Sequence, residues 1–368
     1  MERKYIAYGK IQSIACSFYH KHQERITFTR ILKYLIEHDM MADHAEFPHV
    51  SWQRMLTLEE FRNYIDQIPV EATTIVSNPN LQKISEDFSI PLSRDVIGYS
   101  PSAFIDDKRH LHNYFEIVYI YQGSASLEID HKCHLMNAGE VCIISPDTLH
   151  NCLVDTNDSL VISLMTRKST FDHIFGSLLI NEDLLAMFFR NTLYNSGRSK
   201  YLFFKTPEND PEIKRLIQRI MVESHSLQKY ANAYVNCLVQ EFFYILLREY
   251  SNTILYYGLD DYSTSQHQFP MILAYVQNNY STVTLKSVAD FFNYTESYLS
   301  KLFKKNMYAN FNQVIQNLKM EKARELLLNT DFSVAEITEE IGYESPDYFT
   351  RRFKKLYGVT PTEFRKRS

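Results

Sequence analysis

The sequence predicts an α+β multidomain chain: a small β-barrel with flanking helices, then an all-α segment of two helix-turn-helix units joined by a linker helix. Three observations predict it. Short β-rich runs separated by turn residues fill about 86–165. Apolar residues recur at steps of three and four on both sides of that stretch. The last hundred residues contain a copy of themselves at an offset of 49 to 50. A length of 368 residues also exceeds one typical core, so two or three domains are expected.

Residues 1–85 form a mostly helical segment without a chemical motif. Thr57-Leu-Glu-Glu60 has capping-box spacing, and Leu58, Phe61, Ile65 and Ile68 follow as an apolar stripe. Phe28, Ile31, Leu32 and Leu35 repeat the pattern. In the barrel segment, 86–165, FEIVYIYQGSASLEID reads as two strands around Gln122-Gly123, a hairpin signal. The turn NAGE at 137–140 precedes VCIISP, which Pro146 halts, and the turn at 156–158 precedes LVISLM. Residues 166–257 form a helical linker or dimerisation region. One stripe there holds Ile213, Leu216, Ile217, Ile220 and Met221; another holds Leu238, Phe242, Ile245 and Leu246. The polar stretch at 258–267 reads as a linker.

In the repeat, SYLSKLFKK at 297–305 matches DYFTRRFKK at 347–355, offset by 50. Upstream, Leu285, Val288 and Phe292 match Val334, Ile337 and Ile341, offset by 49. Each copy reads helix, turn, second helix. In the second copy Ser333-Val-Ala-Glu336 opens the first helix, and Gly342 ends it in a left-handed conformation. Ser345-Pro346 starts the second helix, which buries Phe349, Phe353 and Leu356, and Gly358 closes it. Phe311 to Leu328 reads as a linker helix of about 27 Å. Such a strut suits two recognition helices entering successive major grooves roughly 34 Å apart.

The charge distribution agrees. Residues 268–368 hold 14 Lys+Arg against 11 Asp+Glu, a net of +3, whereas the rest holds 25 against 33, a net of -8. That asymmetry suggests a polyanion-binding module attached to something else.

Residues 268–368 resemble the DNA-binding domain of the AraC/XylS family of transcription regulators, nearly throughout SVAEITEEIGYESPDYFTRRFKKLYGVTPTEFR. The resemblance implies double-stranded promoter DNA as partner. It places base reading on Ser297, Ser300 and Lys301 of the first recognition helix and on Pro346, Asp347, Thr350 and Arg351 of the second. Arg351 is the expected guanine reader, since its fork matches two acceptors on that base. Lys304, Lys354 and Lys355 belong to the expected DNA-binding set, contacting phosphate or facing water as Lys305 and Arg352 do. Three positions depart from the family: Tyr308 stands where the second copy has Gly358, Lys319 where Arg is usual, and Thr338 where a small Ala is usual.

The β-rich stretch is cupin-like. His110-x-His112, Glu116 and Gly123 follow cupin spacing, and His150 comes after Gly139 and Pro146. These residue types suit a divalent metal. The sensor domains of the resembled regulators carry similar patterns, so lining of an effector pocket by His110, His112, Glu116 and His150 ranks ahead of metal, and structural hydrogen bonds remain open. No metal, cofactor or catalytic residue is assigned. P-loop, nucleophile-elbow and zinc-finger spacings are absent from the sequence.

The expected function is a DNA-binding transcriptional regulator, not an enzyme, answering a small-molecule effector and activating rather than repressing. A homodimer is expected, and RNA polymerase is a partner the resemblance allows. A metal-dependent cupin enzyme with a DNA-binding appendage is the alternative, and 1–85 as a protein-docking module a third. Five Cys without a C-x-x-C pair, no recognisable signal peptide and no membrane-length apolar run predict a cytoplasmic protein.

Overall fold

A computed structural model describes residues 4–48, 50, 54–71, 83–106, 109–129, 132–171, 173, 201–250, 253, 255–257 and 269–367. They form two compact units, one from the described residues up to 257 and one from 269–367. The linker expected at 258–267 lies outside the described residues.

In the first unit, β1 (Tyr5–Ala7) pairs antiparallel with β2 (Pro69–Glu71), around α1 (Tyr8–His22), α2 (Phe28–Glu37) and α3 (Leu58–Asp66). The α3 capping box forms as its spacing requires, with Thr57 accepting from the Glu60 amide and Glu60 from the Thr57 amide. Phe61, Ile65 and Ile68 are buried, but Leu58, at the helix start, is exposed. The N-terminal helices pack on the barrel in this same unit: Tyr19 of α1 stacks on Phe104 with centroids 4.1 Å apart.

The chain continues through β3 (Lys83–Ile84), α4 (Glu86–Ser89), β4 (Val96–Tyr99), β5 (Leu111–His112), β6 (Phe115–Gln122), β7 (Ser124–Ile129), β8 (Lys132–Asn137), β9 (Glu140–Ile144), β10 (His150–Leu153), β11 (Leu160–Thr166) and β12 (Tyr201–Lys205). After α5 (Pro211–His225) and α6 (Ala231–Glu249) comes β13 (Leu255–Tyr257). Strand order is β13-β12-β9-β6-β11-β4 in one antiparallel sheet and β10-β7-β8 in the other. Val118 and Ile120 of β6 meet Ala125, Leu127 and Ile129 of β7 in the core between the sheets. The other face of β6 is covered by helices, so seven of its eight residues are buried. Tyr121 there packs on Phe61 and accepts a hydrogen bond from Gln218 of α5.

Two expectations are corrected. β6 and β7 do not form a hairpin: β6 pairs with β9 and β11, and β7 with β8 and β10. Gly123, at φ 73°, is a corner where the chain changes sheets, and a Cβ there would collide with Ser159. The two-residue turns that close hairpins usually need positive φ at both central residues or a different Gly placement. Second, the sheet does not stop at 165, because β12 and β13 extend it from within the region expected to be helical. YLFFK is a continuous apolar run, so its periodicity did not distinguish it from helix. The stripes of α5 and α6 are buried inside this unit.

The second unit contains α7 (Phe269–Asn278), α8 (Leu285–Phe291), α9 (Glu296–Met307), α10 (Phe311–Asn329), α11 (Val334–Glu340), α12 (Pro346–Tyr357) and α13 (Pro361–Arg367). The repeat extends to its backbone. Capping boxes at Thr284 and Ser333 open α8 and α11, and the Thr295 and Ser345 side chains cap α9 and α12. Asn293 and Gly342, both left-handed, end the first helix of each copy. In each, the next residue donates five residues back, Tyr294 to Ala289 and Tyr343 to Thr338, both at 2.8 to 2.9 Å. Tyr308 and Gly358, at φ 53° and 79°, close the second helices by bonds to Lys304 and Lys354. Phe349 and Phe353 are core, but Leu356 is 53% exposed, a correction to its expected inward position.

Candidate functional site

In the second unit the polar residues of α9 and α12 are left outward once their core faces are packed. Leu299, Leu302, Phe303 and Met307 bury one side of α9; Phe349 and Phe353 bury that of α12. Ser297, Lys301 and Lys304 are exposed and Ser300 half-buried. On α12, Pro346, Asp347, Arg351, Lys354 and Lys355 are exposed, with Thr350 half-buried. Arg352 differs: it donates to Gln316 of α10 and lies over the Tyr348 ring, so it ties the second helix to the linker helix.

The three family departures are accommodated. Tyr308 takes the left-handed cap despite its Cβ. Thr338 is buried and donates to the Val334 carbonyl at 2.6 Å, spending its hydroxyl inside its own helix. Lys319 donates to the Gly342 carbonyl at 2.6 Å and lies over the Tyr343 ring, binding α10 to the turn ahead of α12; burial pushes its pKa down. These two helix-positioning contacts, from Lys319 and Arg352, were not legible as such.

In the first unit the four polar residues of the barrel converge. β5 places His112 beside Glu116 of β6, and an antiparallel bridge joins the backbones of His110 and His150. His112, Glu116 and His150 are buried, at 0%, 2% and 2% exposure, and His110 is half-buried. The Nδ1 atoms of His112 and His150 donate to the carbonyls of Tyr114 and Thr148, each at 2.9 Å. Their Nε2 atoms lie 2.9 and 3.0 Å from the same Glu116 oxygen, Oε2. The other oxygen, Oε1, accepts from Tyr99 at 3.0 Å and from Ser163. Burial acts to raise the Glu116 carboxyl, but the two adjoining imidazoles outweigh it and hold it well below the ordinary range. Burial pushes His112 down, and Tyr99 and Cys142 up. Tyr99 and Ser163, 17 and 47 residues from Glu116, carry no sequence signal of this role.

Residues 288–367 match a family described as a helix-turn-helix domain, and residues 104–243 one described as an AraC-like ligand binding domain. The HTH-type transcriptional regulator YdiP of Escherichia coli is 27% identical over 72% of this chain and 84% of its own length. A second E. coli regulator of that type, YpdC, is 38% identical over 25% of this chain, which spans 33% of that protein. The lactose operon transcription activator of Staphylococcus xylosus is 28% identical over 43% of this chain and 56% of its own.

Proposed function

The chain belongs to the AraC/XylS family of transcriptional regulators, and on that premise we propose that it is a sequence-specific regulator whose second unit reads promoter DNA with α9 and α12. The observation that carries this is the duplicated helix-turn-helix, with equivalent caps, equivalent left-handed turns and an outward polar face on each second helix. Ser297, Ser300, Lys301, Pro346, Asp347, Thr350 and Arg351 read bases; Lys304, Lys354 and Lys355 hold phosphate. The first unit is the sensor and answers a small-molecule effector. Its pocket was expected at His110, His112, Glu116 and His150, three of which are buried and turned on one another, so an effector engaging them needs that cluster to open. The protein acts as an activator, which the named function of the lactose operon relative supports, and as a regulator rather than a catalyst. It works as a homodimer in the cytoplasm. Because the inward stripes of α5 and α6 are spent in the core, the dimer contact falls on the outward face of α6, which exposes Tyr234 and Tyr244. No helix among the described residues is long and apolar enough to cross a membrane.

The test is genome-wide mapping of bound sites for the full chain. It should return a recurring two-part motif upstream of a small set of genes, whose identity then points to the effector class. Binding spread without a motif would contradict the proposal.

A further inference from the structure

A cleft outside the barrel carries polar groups that the fold leaves without partners. It lies in the first unit, between α1 and α3 on one side and, on the other, residues 100–103 and the loop ahead of β11. Its volume is about 120 Å³, and the buried Ile65, Ala103 and Leu160 give it an apolar lining. Its walls are tied together. Gln12 of α1 donates to the Asn157 side chain at 2.8 Å and accepts from the Ala103 amide at 3.0 Å. Arg62 of α3 donates to the Asn157 and Asp158 carbonyls at 3.2 and 2.5 Å, which leaves three of its five N–H groups. Ser100 is only 5% exposed, yet its hydroxyl makes no hydrogen bond among the described residues. A group so placed costs free energy until something satisfies it. Asp66, exposed at the rim, forms neither ion pair nor hydrogen bond among the described residues, even with Arg62 one turn away. It is the last residue of α3, where the helix dipole disfavours an anion, and partial burial raises its pKa against the pull of Arg62. An acid without a partner in such a place points to a cation from outside the chain.

We propose that this cleft binds a small zwitterion of the α-amino-acid class. The ammonium meets Asp66 and the Ser100 hydroxyl, the carboxylate meets Arg62, and the side chain lies on Ile65, Ala103 and Leu160. Arg62 and Asp66 are opposite in sign, so a ligand carrying both charges satisfies both, whereas a simple cation would also face the guanidinium. A cavity of about 150 Å³ admits benzene, so this one takes about six non-hydrogen atoms, with more room at the exposed rim. Entry needs no opening of the buried His and Glu cluster. The N-terminal helices gain a role as one wall of a ligand site. That binding alters DNA affinity rests on the sensor reading; the binding itself does not.

The test titrates the full chain by calorimetry with L-alanine, L-serine, L-threonine and L-valine, each beside its N-acetyl and amide derivatives. The expected result is one site per chain for at least one of the four, with a loss of about 10-fold or more for either derivative, since each removes one charge. D66N, at an exposed position, should weaken binding by about 10- to 100-fold and S100A by about 2- to 10-fold, with circular dichroism unchanged. Affinity for a mapped DNA site is then measured with and without the amino acid. Binding that leaves DNA affinity unchanged supports the site and contradicts the sensor reading. No binding to folded wild type up to about 10 mM, equal binding of the derivatives, or affinity unchanged in D66N would overturn the proposal. Tighter binding of glycerol or glucose in competition with the amino acid would assign the cleft to a neutral polyol and overturn it as well.

Discussion

Replacing Gly342 and Gly358 separately by Ala should give unequal costs, although both glycines are left-handed at helix ends. At Gly358 nothing lies within 4 Å of an added Cβ, so only the backbone conformation is penalised. That penalty is about 1 kcal/mol. At Gly342 the same Cβ would collide with the Ser281 carbonyl oxygen, with the carbonyl carbon only 3.0 Å away. The Ser281 carbonyl is backbone and also receives Lys319 at 3.4 Å, so it has little room to yield. Forced packing of this kind adds about 2 kcal/mol, for a total near 3 kcal/mol. Native-state hydrogen exchange of the full chain, read on peptides covering α11 and α12, resolves the difference. Opening should become about fivefold easier in G358A and roughly 100-fold easier in G342A, since about 1.4 kcal/mol corresponds to a factor of ten. Equal effects, or a larger effect at Gly358, would refute the argument that the first turn is fixed by close approach and the second by φ alone.

Two more expectations follow from the same kind of reasoning. Tyr308 holds φ 53° with its side chain 66% exposed, so Y308G should stabilise the first helix-turn-helix by about 0.5–1 kcal/mol, measured by exchange in α9. Burial lowers His225 to about 4, against an ordinary value near 6.5, and its Nε2 donates to the Gly98 carbonyl at 2.7 Å. Because the folded value is depressed, the stabilising difference is present above pH 6.5 and is lost as pH falls toward 4, where the unfolded chain binds the extra proton. Urea titrations should show the stability gap between wild type and H225Q shrinking by about 3 kcal/mol between pH 7 and pH 4; a gap independent of pH would contradict it.

The repeat was legible because its information is local. Caps, glycines and core aromatics lie within one turn of the backbone they control, so an offset of 49 to 50 in the sequence reappears as paired caps and paired left-handed residues. Asn293 gives no comparable sequence signal, because Asn is a weaker marker of that conformation than Gly. The barrel strands were legible as runs but not as partners. Sheet pairing is non-local, and Gly123 signals a reversal whether the next strand pairs back or crosses to another sheet. Periodicity marked the helical stripes without their edges, hence Leu58 and Leu356 on the outside. The His and Glu cluster was legible by spacing. Its hydroxyl partners Tyr99 and Ser163 come from β4 and β11, which only the fold brings to Glu116.

The central claim, that α9 and α12 read DNA bases, is tested most directly by the affinity of K301A/R351A for a mapped site and for random duplex across salt concentrations. Specific affinity should fall by about 2–6 kcal/mol, at 1–3 kcal/mol per lost base contact, while binding to random duplex changes far less. K354A, by contrast, should weaken both about equally and reduce the salt slope by about 1. Unchanged discrimination between the mapped site and random duplex in K301A/R351A would mean that α9 and α12 do not read bases through these two side chains.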